Sequence, residues 1–357
     1  MIPELDTILN NSDAVSSCEI GAVIARLKQW NDRCRDMFVD LKHIEFKAVD
    51  NDMYIKTGSF DKPIFFKHNP EDPKNPKDIH AIKQFCKFLK VPYNFFIANS
   101  SLFREKIVDT WKAALRVKED SGKCIFRIRE AQDNATMRAM LEQTEVPLSN
   151  HEIVSLVSES IKEPFHIEFV CGDAKDDLLL HVRFILDKEY DLTIDKKIQI
   201  GFSLVCSELG SCPLTVDILL HEKKSATSYI SFYGKGSFLK VDYKNMQANN
   251  LRSAFPKIVE HITADASDML DRVRYKISDE KDFIADLECE RFIRDYKLSP
   301  KYKLALFNQV YASKDEVKNP YDFARQASLV AKDYDTVKRI KIERSIGQYL
   351  NLTFSNS

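Results

Sequence analysis

The chain has 357 residues, 44% hydrophobic and 30% charged, with a net charge of −1. That balance excludes a disordered chain and leaves any nucleic-acid contact to local patches rather than to the surface as a whole. Nine glycines argue against glycine-rich phosphate loops, and apolar runs such as 198–206 fall well short of the ~20 residues a membrane helix needs.

In chain order, apolar residues recur at helical spacing over 18–38 (Ile20, Val23, Ile24, Leu27, Trp30, Cys34, Met37, Phe38), with Ser16 or Ser17 as cap. Three short β-like runs follow at 43–49, 53–57 and 63–67, joined by Asp50-Asn51-Asp52 and Gly58-Ser59. Pro70, Pro73 and Pro76 mark a linker or long loop, because proline continues neither a helix nor a central strand. Helices are expected after Asp78 (buried Ile82, Phe85, Cys86, Leu89) and over 102–115 (Phe103, Ile107, Trp111, Leu115). The run 124–129 alternates Cys124, Phe126 and Ile128 with Ile125, Arg127 and Arg129, which predicts one buried face and one positive face. The segment 137–142 is ambiguous. Ser149 caps a helix over 151–161.

Strands are predicted at 165–171, 178–186, 198–206, 214–221, 227–233 and 238–243. The last two flank Gly234-Lys235-Gly236-Ser237 and read as a hairpin. Helices at 246–274, 279–296, 300–312, 319–331 and 333–350 complete the chain. The expected fold is α+β: a central, mainly antiparallel β-sheet region flanked by helices, with an all-helical C-terminal portion. The expected regions are 1–76, 77–245 and 246–357.

Phosphate-loop, dinucleotide, nucleophile-elbow and zinc-protease motifs are absent. Asp217 and His221 share a strand face, with Glu222 beside them, and this either orients an imidazole or leaves a histidine on the solvated side. His166 and His181 either pair across the sheet or serve the core, and Asp176-Asp177 reads as a solvated turn. The eight cysteines lack zinc-knuckle spacing and are too scattered for a disulfide scaffold. Cys206 and Cys212 read as small buried residues. A reducing, cytoplasmic location follows, with no signal sequence in the acidic N-terminus.

The richest chemical feature lies between Lys223 and Lys257. Lys223, Lys224, Lys235, Lys240, Lys244, Arg252 and Lys257 face one acid, Asp242, and are interleaved with Tyr229, Phe232, Tyr233, Phe238 and Tyr243. Lysines neutralise phosphates and aromatic rings stack on unpaired bases at ~1–3 kcal/mol each. Arg127, Arg129 and Arg138 would extend such a surface. The alternative is an ordinary edge hairpin whose aromatics are core and whose lysines keep it soluble.

Ala81-Ile82-Lys83-Gln84-Phe85-Cys86-Lys87-Phe88-Leu89-Lys90-Val91-Pro92-Tyr93 is similar to the helix and "L-G-I-P" element of a phage- and plasmid-borne family, domain of unknown function 932. Met137-Arg138-Ala139-Met140-Leu141 through Val146-Pro147-Leu148-Ser149-Asn150 resembles its "V-R-A-x-L-S-x-x-Y-x-P-L-D-N". Gly201 to Gly210 resembles "G-I-x-I-x-N-S-E-x-G", and Tyr321-Asp322-Phe323-Ala324-Arg325 and 344–350 fit its helical tail. The resemblance spans about residues 77–352. It departs at Gln143-Thr144-Glu145 and at Cys206, where asparagine is usual. Ser207, Glu208 and Gly210 are either functional there or a sheet-edge turn. The resemblance implies a mobile-element origin and a place among replication, recombination or early-expression genes.

The reading is therefore a non-enzymatic binder of single-stranded DNA or RNA, with no cofactor, no metal and no membrane. The alternative is a protein–protein interaction module: a virion component or host-factor-binding protein, or a homo-oligomer.

Overall fold

The computed structural model describes residues 16–18, 20–49, 52–66, 76–115, 122–142, 148–171, 179–193, 196–223, 229–233, 239–241, 248–278, 283–334 and 336–350. The described strands form two sheets, of seven and six strands. The chain opens with β1 (Ser16–Cys18) and α1 (Ile20–Asn31), then enters the six-stranded sheet. That sheet comprises β2 (Cys34–Asp40), β3 (Glu45–Val49), β4 (Asp52–Thr57), β5 (Phe60–Phe66), β6 (Lys123–Glu130) and β7 (Ala135–Glu142), in the order β2-β6-β7-β5-β4-β3. The pair β5–β7 is parallel. Helices α2 (Pro76–Leu89), α3 (Tyr93–Ala98) and α4 (Ser101–Leu115) cover one face. There Phe46, Ile55, Phe66 and Phe126 meet Phe85, Leu89, Phe96 and Val108.

Helix α5 (Asn150–Ser160) begins with a capping box between Ser149 and Glu152, so the expected cap holds. The seven-stranded sheet comprises β1, β8 (Phe165–Cys171), β9 (Leu180–Thr193), β10 (Lys196–Cys206), β11 (Leu214–Lys223), β12 (Tyr229–Tyr233) and β13 (Leu239–Val241). Helices α6 (Ala248–Ser278), α7 (Ala285–Asp295), α8 (Pro300–Ala312), α9 (Pro320–Ala331) and α10 (Thr336–Tyr349) follow. The fold is α+β with an all-helical C-terminal portion, as the sequence predicts. No described helix is long and apolar enough to cross a membrane.

The division into regions differs from expectation. Strand β1 pairs with β8, Ser16 opposite Phe169, and Val23 and Leu27 of α1 lie in the core that holds Phe184, Phe202 and Phe255. Both N-terminal elements thus belong to the seven-stranded unit, and residues 34–142 are inserted into it. The boundary expected at residue 76 falls inside one sheet, because β2 pairs with β6 and β5 with β7. The boundary at 245 crosses one core, where Phe255 stacks on Phe202 at 6.3 Å. Proline-rich 69–76 separates a strand from a helix within one unit.

The first helix also ends early. It stops at Asn31, and Cys34, Met37 and Phe38 lie on β2, with Met37 buried and Phe38 71% exposed. Those few positions fit either period, and antiparallel pairing with β6 decides between them.

Candidate nucleic-acid interface

The predicted basic-aromatic residues are dispersed. Lys223 ends β11, Tyr229, Phe232 and Tyr233 lie on β12, and Lys240 is exposed on β13. Lys224, Lys235, Phe238, Tyr243 and Lys244 lie outside the described residues. Strands β12 and β13 do not form the expected hairpin. Both pair with β11 in the same antiparallel sense, Tyr233 opposite Leu219 and Leu239 opposite Val216. They are successive pieces of one edge. Glycine-rich chemistry serves an interruption of a strand as readily as a reversal, so the sequence signal was ambiguous. Helices α9 and α10 also approach β12.

Two of the three supporting arginines are not on a solvated face. Arg127 donates to both oxygens of Asp36 at 2.8 Å and, through its other terminal nitrogen, to the carbonyl of Glu208 at 2.6 Å. Arg138 donates to Glu208 Oε1 at 2.7 Å, and both side chains are buried. The Arg129 guanidinium carbon lies over the Trp30 ring, 3.5 Å from its centroid. The face predicted to be positive is covered by α1 and by the turn at 207–210, which reaches across from the seven-stranded sheet.

That turn is the junction of the two units. Asn150 N–H donates to Glu208 Oε2 at 2.9 Å, and His80 and Gln84 of α2 meet the Leu209 carbonyl at 3.0 and 2.9 Å. Burial alone would raise the Glu208 carboxyl. Arg138, Arg127 and the Asn150 N–H outweigh it and hold the group below its ordinary value. Gly210 takes φ +74°, which favours glycine. Glu208 and Gly210 therefore have structural roles here.

A second buried polar cluster lies between the seven-stranded sheet and α10. Arg183 donates to Glu343 at 2.7 Å and to Glu168 at 3.4 Å, and Arg339 donates to Glu343 at 2.9 Å. His221 is fully buried with Nε2 3.5 Å from Glu168, so it is not on the solvated side of the sheet. His181 shares a 2.7 Å hydrogen bond with Ser203 Oγ, and Arg344 donates to Asp217. His166 pairs with Asp187, not with His181. Burial, reinforced by Arg183, Arg339 and Arg344, pushes His181 well below its ordinary value and keeps it neutral. Burial raises the Glu168 carboxyl, and Arg183 and Arg339 do not reverse this. Asp217, His181 and His221 are thus buried in the polar layer beneath α10, and Glu208 is engaged at the junction. Among the described residues no group of His, Cys, Asp and Glu is placed to hold a metal.

The surface that does combine exposed rings with lysines lies on α2–α4. Residues 79–104 contain no acid and carry Lys83, Lys87, Lys90 and Arg104. Helix α2 buries Ile82, Phe85, Cys86 and Leu89, which turns Lys83 and Lys87 outward as a ridge. Lys90 ends the helix in a left-handed conformation, φ +57°, and is also exposed. Lys83 Nζ lies 5.5 Å from the Tyr93 ring centroid. Phe95 and Phe103, 50% and 42% exposed, meet edge to face at 6.2 Å. Glu105, the first acid after the stretch, is occupied by the Ala48 N–H of β3 at 3.0 Å, and Lys106 is exposed beside it. The absence of acids across 79–104 was legible in the sequence. The same residues also satisfy a helical core pattern, which sequence alone does not separate from a basic surface.

No family model, characterised protein or solved structure matches the chain.

Proposed function

We propose that the protein binds single-stranded nucleic acid, without catalysing a reaction on it, as an accessory factor of phage or plasmid replication, recombination or transcription. The observation that carries this reading is a helical stretch free of acids that exposes Lys83, Lys87 and Lys90 and also the Phe95–Phe103 pair, edge to face at 6.2 Å. Exposed rings offer stacking faces to unpaired bases, and the lysines supply charge along a backbone. Binding of this kind tolerates sequence and weakens with salt.

Fluorescence anisotropy with labelled single- and double-stranded DNA and single-stranded RNA across a salt series tests it. Wild type should prefer single strands. Phe95→Ala/Phe103→Ala should lose about tenfold or more in affinity, given ~1–3 kcal/mol per stacked base. Lys83→Glu/Lys106→Glu should weaken binding and flatten the salt dependence. Lys235→Glu/Lys240→Glu asks whether the β12–β13 edge contributes. No binding of any strand at low salt rejects the reading.

Exposed Ile284, Leu287, Leu304 and Tyr311 on and beside α7 and α8 support a second reading, a protein partner or a second copy of the chain. Sedimentation velocity across a concentration series would detect the self-association arm of that reading.

A further inference from the structure

Strand β2 lies at one edge of the six-stranded sheet and β3 at the other. An edge strand leaves a row of N–H and C=O groups outside the ladder, and natural sheets blunt such rows. The β3 edge is blunted: Glu105 of α4 accepts from the Ala48 N–H at 3.0 Å, and Lys112 donates to the Ile44 carbonyl. The β2 edge is not covered in this way. Glu130 N–H donates to the Arg33 carbonyl at 3.0 Å and Leu41 N–H to the Gly122 carbonyl at 2.8 Å. Between them runs an unbroken register, from Cys34 opposite Arg129 to Asp40 opposite Lys123. Antiparallel ladders alternate. Arg35, Met37 and Val39 therefore bond to β6, while Cys34, Asp36, Phe38 and Asp40 turn their backbone groups outward. Among the described residues no strand lies on that side.

The side chains of β2 suit a second strand. Met37 and Val39 are buried under α2–α4, whereas Phe38 on the opposite face is 71% exposed. The strand carries neither lysine nor proline, two residues that discourage pairing at an edge. Its acids are engaged within the chain: Asp36 holds Arg127 at 2.8 Å with both oxygens, and Asp40 accepts from the Lys42 N–H at 2.9 Å. Two copies of β2 can pair antiparallel only with outward residues facing outward residues, so the register shifts in steps of two. Centred on Met37, all seven residues find a partner, with Asp36 opposite Phe38 and Cys34 opposite Asp40. A slip one way sets Asp36 against Asp36, and a slip the other way sets Asp36 against Asp40. Like charges directly opposite are destabilising. The longest overlap is thus also the one without opposed acids.

We propose that β2 docks a second copy of this chain, β2 against β2 in antiparallel register centred on Met37. A two-fold axis normal to the sheet relates the copies, so the α2–α4 surfaces of both lie on one face of a continuous sheet. The inference goes beyond the single-strand reading and does not depend on it.

The test uses the full chain without nucleic acid. One strand pair is a small interface, so association should be weak, and sedimentation velocity should show monomer passing to dimer as concentration rises. Amide hydrogen exchange on the same samples should slow at Asp36 and Phe38 with concentration. Arg35, Met37 and Val39, already bonded to β6, should be slow throughout. Phe38→Pro removes only an outward N–H and leaves the β6 ladder whole, and should abolish the dimer. The exchange measurement on wild type does not depend on that variant folding. A monomer across the series, with Asp36 and Phe38 exchanging equally fast throughout, overturns the proposal. So does a dimer that leaves those two amides unprotected or survives in folded Phe38→Pro, since its contact lies elsewhere.

Discussion

Two buried glutamates, Glu208 at the junction and Glu168 beneath α10, sit beside arginines and yet shift in opposite directions. Glu208 is held below its ordinary value and Glu168 is raised above it. The difference lies in how completely each is partnered. Glu208 receives Arg138 at 2.7 Å and a backbone N–H at 2.9 Å, with Arg127 close by. Glu168 shares Arg183 with Glu343, which holds it at 2.7 Å against 3.4 Å for Glu168. A nearby cation does not by itself compensate the desolvation of a carboxylate; its hydrogen bonds must also be available.

The largest expected effect tests the shared arginine. Arg183→Met leaves Glu168 and Glu343 buried with one cation fewer and should cost about 3–5 kcal/mol in chemical denaturation. Glu208→Gln removes a carboxylate whose ionised form is favoured by its site, and should cost about 2–3 kcal/mol.

The pH dependence is next. His181 is neutral when folded and lies well below its ordinary 6.5. Below 6.5 the unfolded chain binds a proton that the folded one refuses, so stability falls as the pH drops. The slope is at most about 1.4 kcal/mol per pH unit. Denaturation midpoints for His181→Gln across pH 7 to about 5 should lose this slope.

The smallest effect is the sharpest test. Because the site disfavours the ionised form of Glu168, Glu168→Gln should change stability at neutral pH by less than about 0.5 kcal/mol, or raise it. If it costs as much as Glu208→Gln, completeness of partnering is not what separates the two sites.

Much of the fold was legible because it is local. The cap at Ser149, the bounds of α8 and the strands from 165 to 223 follow from caps, prolines and alternation. What was not legible is pairing across long stretches of chain. Alternation in 124–129 placed Phe126 and Ile128 inside, but nothing local to Arg127 reveals that Asp36 and Glu208 will cover it. The basic-aromatic count led to the β12–β13 edge because lysines and rings alternate there. Structure adds the exposure that a count lacks: of the aromatics in 79–104, Phe85 and Phe96 are fully buried, whereas Phe95 and Phe103 are exposed.

The nested arrangement of the two units also sets an order of events during synthesis. Residues 34–142 leave the ribosome as one uninterrupted stretch and hold within it every strand of their own sheet. They can fold while the rest of the chain is still being made. Ser16 and Val23 emerge earlier but must wait for Phe169, and for the helices beyond it, before they have a surface to join. Strand β1 and helix α1 are therefore placed after residues that are made later, and a nascent chain stalled after residue 142 should protect β2–β7 from proteolysis while leaving β1 and α1 open to cleavage.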